Sequence, residues 1–157
     1  MSYSLKAVKS GPSREGKSFY ANLYFGTKKI GSLEDEGNGG APLIRFDTSA
    51  LNREHSQALQ DWAIAHDSSL DASSAMIEED VFRVLENIYE NNKRSAKGVL
   101  FIKEKASDPF EQEEYFVKGN TLSDKGLIER LKKDYPGSWV WDSALEKYVR
   151  VQELVSA

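Results

Sequence analysis

Residues 17–25, Lys17-Ser18-Phe19-Tyr20-Ala21-Asn22-Leu23-Tyr24-Phe25, alternate two kinds of side chain. Phe19, Ala21, Leu23 and Phe25 hold one parity, and Tyr20, Asn22 and Tyr24 hold the other. Neighbouring side chains of a strand point to opposite faces of its sheet. This aromatic period of two therefore predicts a strand with an apolar face and a tyrosine-bearing face. Gly26-Thr27-Lys28-Lys29 reads as a short turn, and Ile30 to Glu34 as the returning strand of a hairpin. Upstream, Ser2 to Lys9 places Tyr3, Leu5 and Ala7 on one parity and breaks at Gly11-Pro12-Ser13. Downstream, Pro42 to Asp47 supplies a fourth strand.

Beyond residue 50 the apolar spacing changes. Leu51, His55, Ala58, Leu59, Trp62, Ala63 and His66 recur at three- and four-residue intervals, which predicts an amphipathic helix over residues 50–66. A second helix starts near Ser74, with Glu78, Glu79 and Asp80 where acids suit the helix dipole. Its apolar stripe is Ile77, Val81, Val84, Leu85 and Ile88, and it ends in the polar run 90–94. Residues 98–105 and 113–118 read as a hairpin across a loop containing Asp108-Pro109. Thr121 is placed to cap a third helix through Leu127, Ile128 and Leu131, ending before Pro136-Gly137. Residues 139–141 and 148–151 close the chain as a last hairpin. The order ββββ-αα-ββ-α-ββ lacks regular βαβ alternation. The expected class is α+β, mainly antiparallel sheet packed by about three helices. Residues 1–157 are expected to form a single domain; a subdivision, if present, falls near residues 95–98.

A chain of 157 residues is long enough to bury a self-sufficient core. The absence of cysteine excludes disulfides, thiolate metal sites and cysteine nucleophiles. The opening MSYSLKAVKSG has no apolar core of signal-peptide length, so the cytoplasm is the expected compartment and no membrane partner is expected. Charge is unevenly spread. Residues 1–33 carry six Lys or Arg against Glu15 alone, whereas residues 34–97 carry thirteen acids against six bases. Such a chain is able to build a surface of two signs.

The stretch Ser32 to Gly40, SLEDEGNGG, invites three readings. As a calcium loop starting at Glu34 it offers Glu36, Asn38 and Gly39 in place, but the final bidentate carboxylate is replaced by Arg45. As a phosphate cradle it lacks a following helix and a nearby Lys. A connection between strands accounts best for its glycines, and its carboxylates remain free to meet a basic partner. Glu34, Asp35, Glu36 and Asn38 are the candidate residues for a protein partner.

His55 and His66 lie on one helix face, three turns and about 16 Å apart, too far to share a metal ion. His55 sits on the apolar stripe and His66 suits the helix C-terminus. No serine lies in a nucleophile elbow. No catalytic residue, metal or cofactor is expected.

The aromatic strands interleave with bases. Lys6, Lys9, Lys17, Tyr20, Tyr24, Lys28 and Lys29 combine rings on which bases stack with cations that follow phosphates, the composition of a single-strand nucleic-acid surface. Trp139 and Trp141 share a parity, and the helix near 122–134 is expected to cover them.

Residues 19–40, FYANLYFGTKKIGSLEDEGNGG, followed by PLIRFD, resemble small uncharacterised accessory proteins of phages and mobile elements. The resemblance implies an accessory role and carries no catalytic residue. Three functions follow from these readings: a non-enzymatic protein-binding or regulatory module, a single-stranded nucleic-acid binder, and a small-molecule or nucleotide sequestering protein.

Overall fold

The computed structural model describes residues 2–13, 16–38, 42–67, 69–105, 112–119 and 125–154. They form two four-stranded antiparallel sheets and three α-helices in the order ββββ-αα-ββ-α-ββ, an α+β fold. The chain divides into two compact units, Met1–Asn87 and Ile88–Ala157, with the boundary inside the second helix. The expected loop at Asp108-Pro109, the Thr121 cap and Gly39-Gly40 lie outside the described residues.

In the first unit, β1 (Tyr3–Ser13), β2 (Gly16–Phe25), β3 (Lys28–Asp35) and β4 (Leu43–Phe46) lie side by side in that order. The alternation of residues 17–25 is realised directly: Phe19, Ala21 and Leu23 are buried, and Tyr20 is exposed. Leu5 pairs with Leu23, and Ala21 with Leu33, which pairs in turn with Ile44. Helix α1 (Ser49–His66) lies on this apolar face through Leu51, His55, Leu59 and Ala63. The Thr48 hydroxyl caps it by accepting the Leu51 N–H at 3.1 Å, satisfying a donor that the first turn leaves open. The first half of α2 (Ile77–Ser95) buries Val81, Phe82, Val84 and Leu85. Ring contacts join sheet to helices: Tyr3 meets Trp62, Phe25 meets His55, and Phe19 meets Phe82.

β1 departs from expectation. It does not break at Gly11-Pro12-Ser13 but runs through to Ser13. As an edge strand it needs no ladder bond on its outer side, so Pro12 is tolerated. The irregularity falls instead between Lys6 and Lys9, where Ala7 takes a φ of 53°. Ala7, expected on the apolar parity, is exposed. The extra residue resets the alternation, as a bulge does.

In the second unit, β5 (Gly98–Ile102), β6 (Tyr115–Lys118), β7 (Trp139–Asp142) and β8 (Lys147–Arg150) pair in the order β6-β5-β7-β8. Helix α3 (Lys125–Asp134) places Leu127 and Leu131 in one cluster with Val99, Phe101, Val140 and Val151. It therefore covers the Val140 face of β7, not the tryptophan face that the sequence assigned to it. Adjacent strand residues point opposite ways, and the Trp141 indole N–H instead donates to Asn92 Oδ1 of α2 at 2.8 Å.

Candidate functional site

The face of the first sheet turned away from the helices is laid out by its register. One row across the sheet reads Lys9, Tyr20, Glu34, Leu43, and the next Lys6, Asn22, Ser32, Arg45. A third joins Ser4, Tyr24 and Lys29. The bulge in β1 makes this possible. Unbroken alternation would have sent Lys9 to the side of Tyr3 and Leu5. Tyr20 is 44% exposed, and the Lys6 ammonium stands 4.5 Å from the centre of the half-buried Tyr24 ring. Lys29 is partly neutralised by Asp47 at 3.6 Å. Lys6, Lys9 and Arg45 have no carboxylate partner among the described residues.

Two residues of the expected basic set belong elsewhere. Lys17 shares the parity of Phe19, and its ammonium lies 3.9 Å from Glu86 on α2, so it serves the covered side. Lys28 pairs with Phe25 and shares the margin of that side. The structure adds Arg45 and Glu34 to the open face. Their place is set by pairing between β3 and β4, which no local pattern records. Exposed acids such as Glu54, Asp61 and Glu78 sit on the helices of the opposite side. The uneven charge of the sequence thus becomes a basic sheet face and an acidic helical side within this unit.

The acidic stretch is less exposed than its sequence predicts. Glu34 and Asp35 lie within β3 and are half-buried, paired with Tyr20 and Phe19 respectively. The connection begins at Glu36. Asp35 Oδ1 accepts the Gly37 N–H at 2.9 Å, and the Asn38 amide donates to Glu36 at 3.2 Å. Gly37 takes a φ of 70°, the left-handed region that explains a glycine there. The carboxylates expected to share one exposed loop are thus divided between two sheet faces and a turn, because β3 extends one residue further and strand parity separates Glu34 from Asp35.

His55 is buried, with Nδ1 2.9 Å from the Tyr3 hydroxyl and its ring enclosed by Tyr3 and Phe25. Burial, with the Glu54 carboxylate adding to it, pushes the Tyr3 phenol above the usual tyrosine range. His66 is exposed, packs its ring at a tilt against Trp62 with centroids 4.4 Å apart, and bonds the Trp62 carbonyl at 2.9 Å. Among the described residues no group of three or more His, Asp or Glu is placed to hold a metal ion. No helix among them is long and apolar enough to cross a membrane.

The second unit holds aromatic–cation groups that sequence reasoning missed. Lys105 stands 4.0 Å from the centre of the Trp139 ring and Arg150 4.8 Å from it. Lys103 lies against both Tyr115, at 4.5 Å, and Tyr135, at 4.7 Å. Arg150 faces Trp139 across the β7–β8 pair, Tyr115 comes to β5 through the β5–β6 pair, and Tyr135 comes from the segment after α3. Nearby, Arg94 bonds Glu114. The buried Tyr148 hydroxyl closes no hydrogen bond among the described residues. Burial first, then the Glu114 carboxylate, pushes that phenol well above its usual range.

No protein-family model, curated protein or solved structure matches the chain.

Proposed function

We propose that the protein is a binding module, without catalysis of its own, that holds single-stranded nucleic acid on the open face of its first sheet. The observation that carries this reading is the register of β1 to β4. It collects Lys6, Lys9, Lys29, Arg45, Tyr20 and Tyr24 on the one face of this sheet that α1 and α2 leave bare. Rings on a pleated surface accept bases of any sequence by stacking, while lysines and arginine track the backbone phosphates. Tyr20, the more exposed ring, is the principal platform. Lys6 over Tyr24 is placed to meet the phosphate beside a second base. The resemblance of residues 19–40 to phage and mobile-element proteins suggests an accessory role in the cytoplasm. The acidic turn supports a protein partner less well, because its carboxylates are divided between faces and Asp35 is engaged by Gly37.

The test is fluorescence anisotropy with labelled oligothymidylate over a range of salt. Engagement of Lys6, Lys9 and Arg45 predicts a slope of log K against log salt of about −2, at about −0.7 per phosphate contact. Tyr20→Ala weakens binding by about 1–3 kcal/mol. Equal affinity for duplex, or an affinity untouched by Tyr20→Ala and by Lys6→Ala with Lys9→Ala, overturns the proposal.

A further inference from the structure

β4 is the outer strand of the first sheet and, among the described residues, pairs only with β3. The Asp47 N–H donates to Ile30 of β3 at 2.9 Å, so by strand alternation the backbone groups of Leu43 and Arg45 also face β3. Those of Ile44 and Phe46 face outward. No hydrogen bond reaches them among the described residues. Beside this free edge lies a cleft of about 430 Å³. One wall is β4 itself. The other is a single stripe of α1, Asn52, Ser56, Leu59 and Gln60, joined by Glu78 and Val81 from the start of α2. Leu59 and Val81 are buried at its base, while Asn52 and Glu78 are exposed.

We propose that this cleft takes an extended peptide segment of a partner protein, which adds to β4 as a fifth strand. An unpaired strand edge beside a helix-walled cleft supplies the two things that strand addition needs. Main-chain hydrogen bonds from Ile44 and Phe46 give binding energy, and alternate side chains of the guest enter the cleft or point to solvent. The guest's chemistry follows from the walls. Its inward residues are apolar, to meet Leu59, Val81 and Phe46. At least one is Lys or Arg, because Glu78 has no cation within salt-bridge distance among the described residues. The side-chain amides of Asn52 and Gln60 are placed to bond the guest backbone on its far side. β4 spans only Leu43–Phe46, which limits the addition to one short segment. This site uses the strand edge and the nucleic-acid reading the open face; Arg45 borders both, and Tyr20, which does not line the cleft, tells them apart.

The experiment pans a random peptide library displayed on phage against the full chain and measures synthetic copies of the enriched peptides by anisotropy. Enrichment of alternating apolar sequences carrying Lys or Arg is expected. Bound peptide should slow hydrogen exchange at the Ile44 and Phe46 amides. Ile44→Pro removes an outward N–H without breaking a bond to β3, and should abolish binding, whereas Ile44→Ala, which keeps the N–H, should retain most of it. Glu78→Gln should weaken binding about tenfold for the basic peptides, and Tyr20→Ala should not affect it. The exchange measurement uses the unaltered protein, so it decides the matter even if Ile44→Pro fails to fold. No enrichment, enriched peptides that leave Ile44 and Phe46 unprotected, or equal binding by Ile44→Pro and Ile44→Ala overturns the proposal.

Discussion

β2 and β5 are both flanked by a strand on each side, yet β2 alternates buried and exposed residues while β5 buries every one. The difference counts covered faces. In the first unit the helices lie on the Phe19–Leu23 side alone. In the second, α3 packs over Val99 and Phe101, and the far side carries buried Leu100, Ile102 and Trp141, with Asn92 of α2 bonded to that tryptophan. A strand covered on both faces has none to offer a ligand, whereas one covered on a single face can spend the other on binding. This contrast is why the candidate site belongs to the first sheet.

Alanine substitution along the two strands tests the contrast with the largest effects. In β2, Leu23→Ala should cost about 2–5 kcal/mol and Asn22→Ala less than about 0.5 kcal/mol. In β5, Leu100→Ala and Phe101→Ala should both fall in the upper range, about 2–5 kcal/mol, although they are neighbours. Urea denaturation of the four variants checks this. A mild result at either Leu100 or Phe101 would give the second sheet an open face and remove the distinction.

The next effect sharpens the account of how the second sheet is covered. Trp141→Phe keeps most of the ring but strands Asn92 Oδ1, which the indole N–H now satisfies. The expected loss is about 1–3 kcal/mol, the usual penalty for leaving a desolvated polar group unpaired. Chemical denaturation of Trp141→Phe beside Asn92→Ala and the double variant measures the coupling. Additive losses would mean that the bond does not tie α2 to this face.

How much of this was legible in advance differs between the sheets for the same reason. Residues 17–25 disclosed both faces of the first sheet because one solvated face leaves a period of two. Residues 98–102 announced a strand and its hairpin partner at 113–118, but not which face each layer covers, since a continuous apolar run carries no facing information. The apolar stripe of α3 accordingly gives no sign that it covers the Val140 side and not the Trp141 side. Lys9 reached the open face through a bulge at Ala7, and Arg45 and Glu34 through cross-strand register. A bulge and a register both depend on partner strands. The aromatic–cation groups at Trp139 and Tyr115 were hidden likewise, because their members meet through cross-strand register and, for Tyr135, through the segment after α3.

A smaller effect concerns proton release at high pH. Both Tyr3 and Tyr148 have phenols raised above the ordinary value, mainly by burial. In the unfolded chain they titrate near about pH 10. Their contribution is intact below that pH and is lost as pH rises further, because the unfolded chain then binds fewer protons than the folded one. Stability should fall above about pH 10, and Tyr148→Phe should make the fall shallower. Denaturation midpoints on either side of pH 10, with phenolate absorbance, check this. An unchanged slope in Tyr148→Phe would show that this phenol ionises normally.

The smallest effect separates the two faces of β3 by a single residue step. Glu34 and Asp35 are adjacent and half-buried, but Glu34 pairs with Tyr20 on the open face and Asp35 with Phe19 on the covered one. Glu34→Gln and Asp35→Asn remove the same charge. Glu34 stands among Lys9, Tyr20 and Arg45, where it repels a passing phosphate. At a separation of several ångström in water this repulsion is about 0.5–1 kcal/mol and is weakened by salt. Glu34→Gln should therefore bind oligothymidylate about two- to fivefold tighter at low salt, with the gain fading as salt is added, and should leave stability within about 0.5 kcal/mol. Asp35→Asn should bind no tighter, since the sheet stands between that carboxylate and the bound strand. Its cost falls instead on the turn, where Gly37 N–H loses a charged acceptor. Titrations of both variants at low and high salt decide the point. Equal tightening by the two would mean that bulk charge, and not the open face of the first sheet, governs the binding.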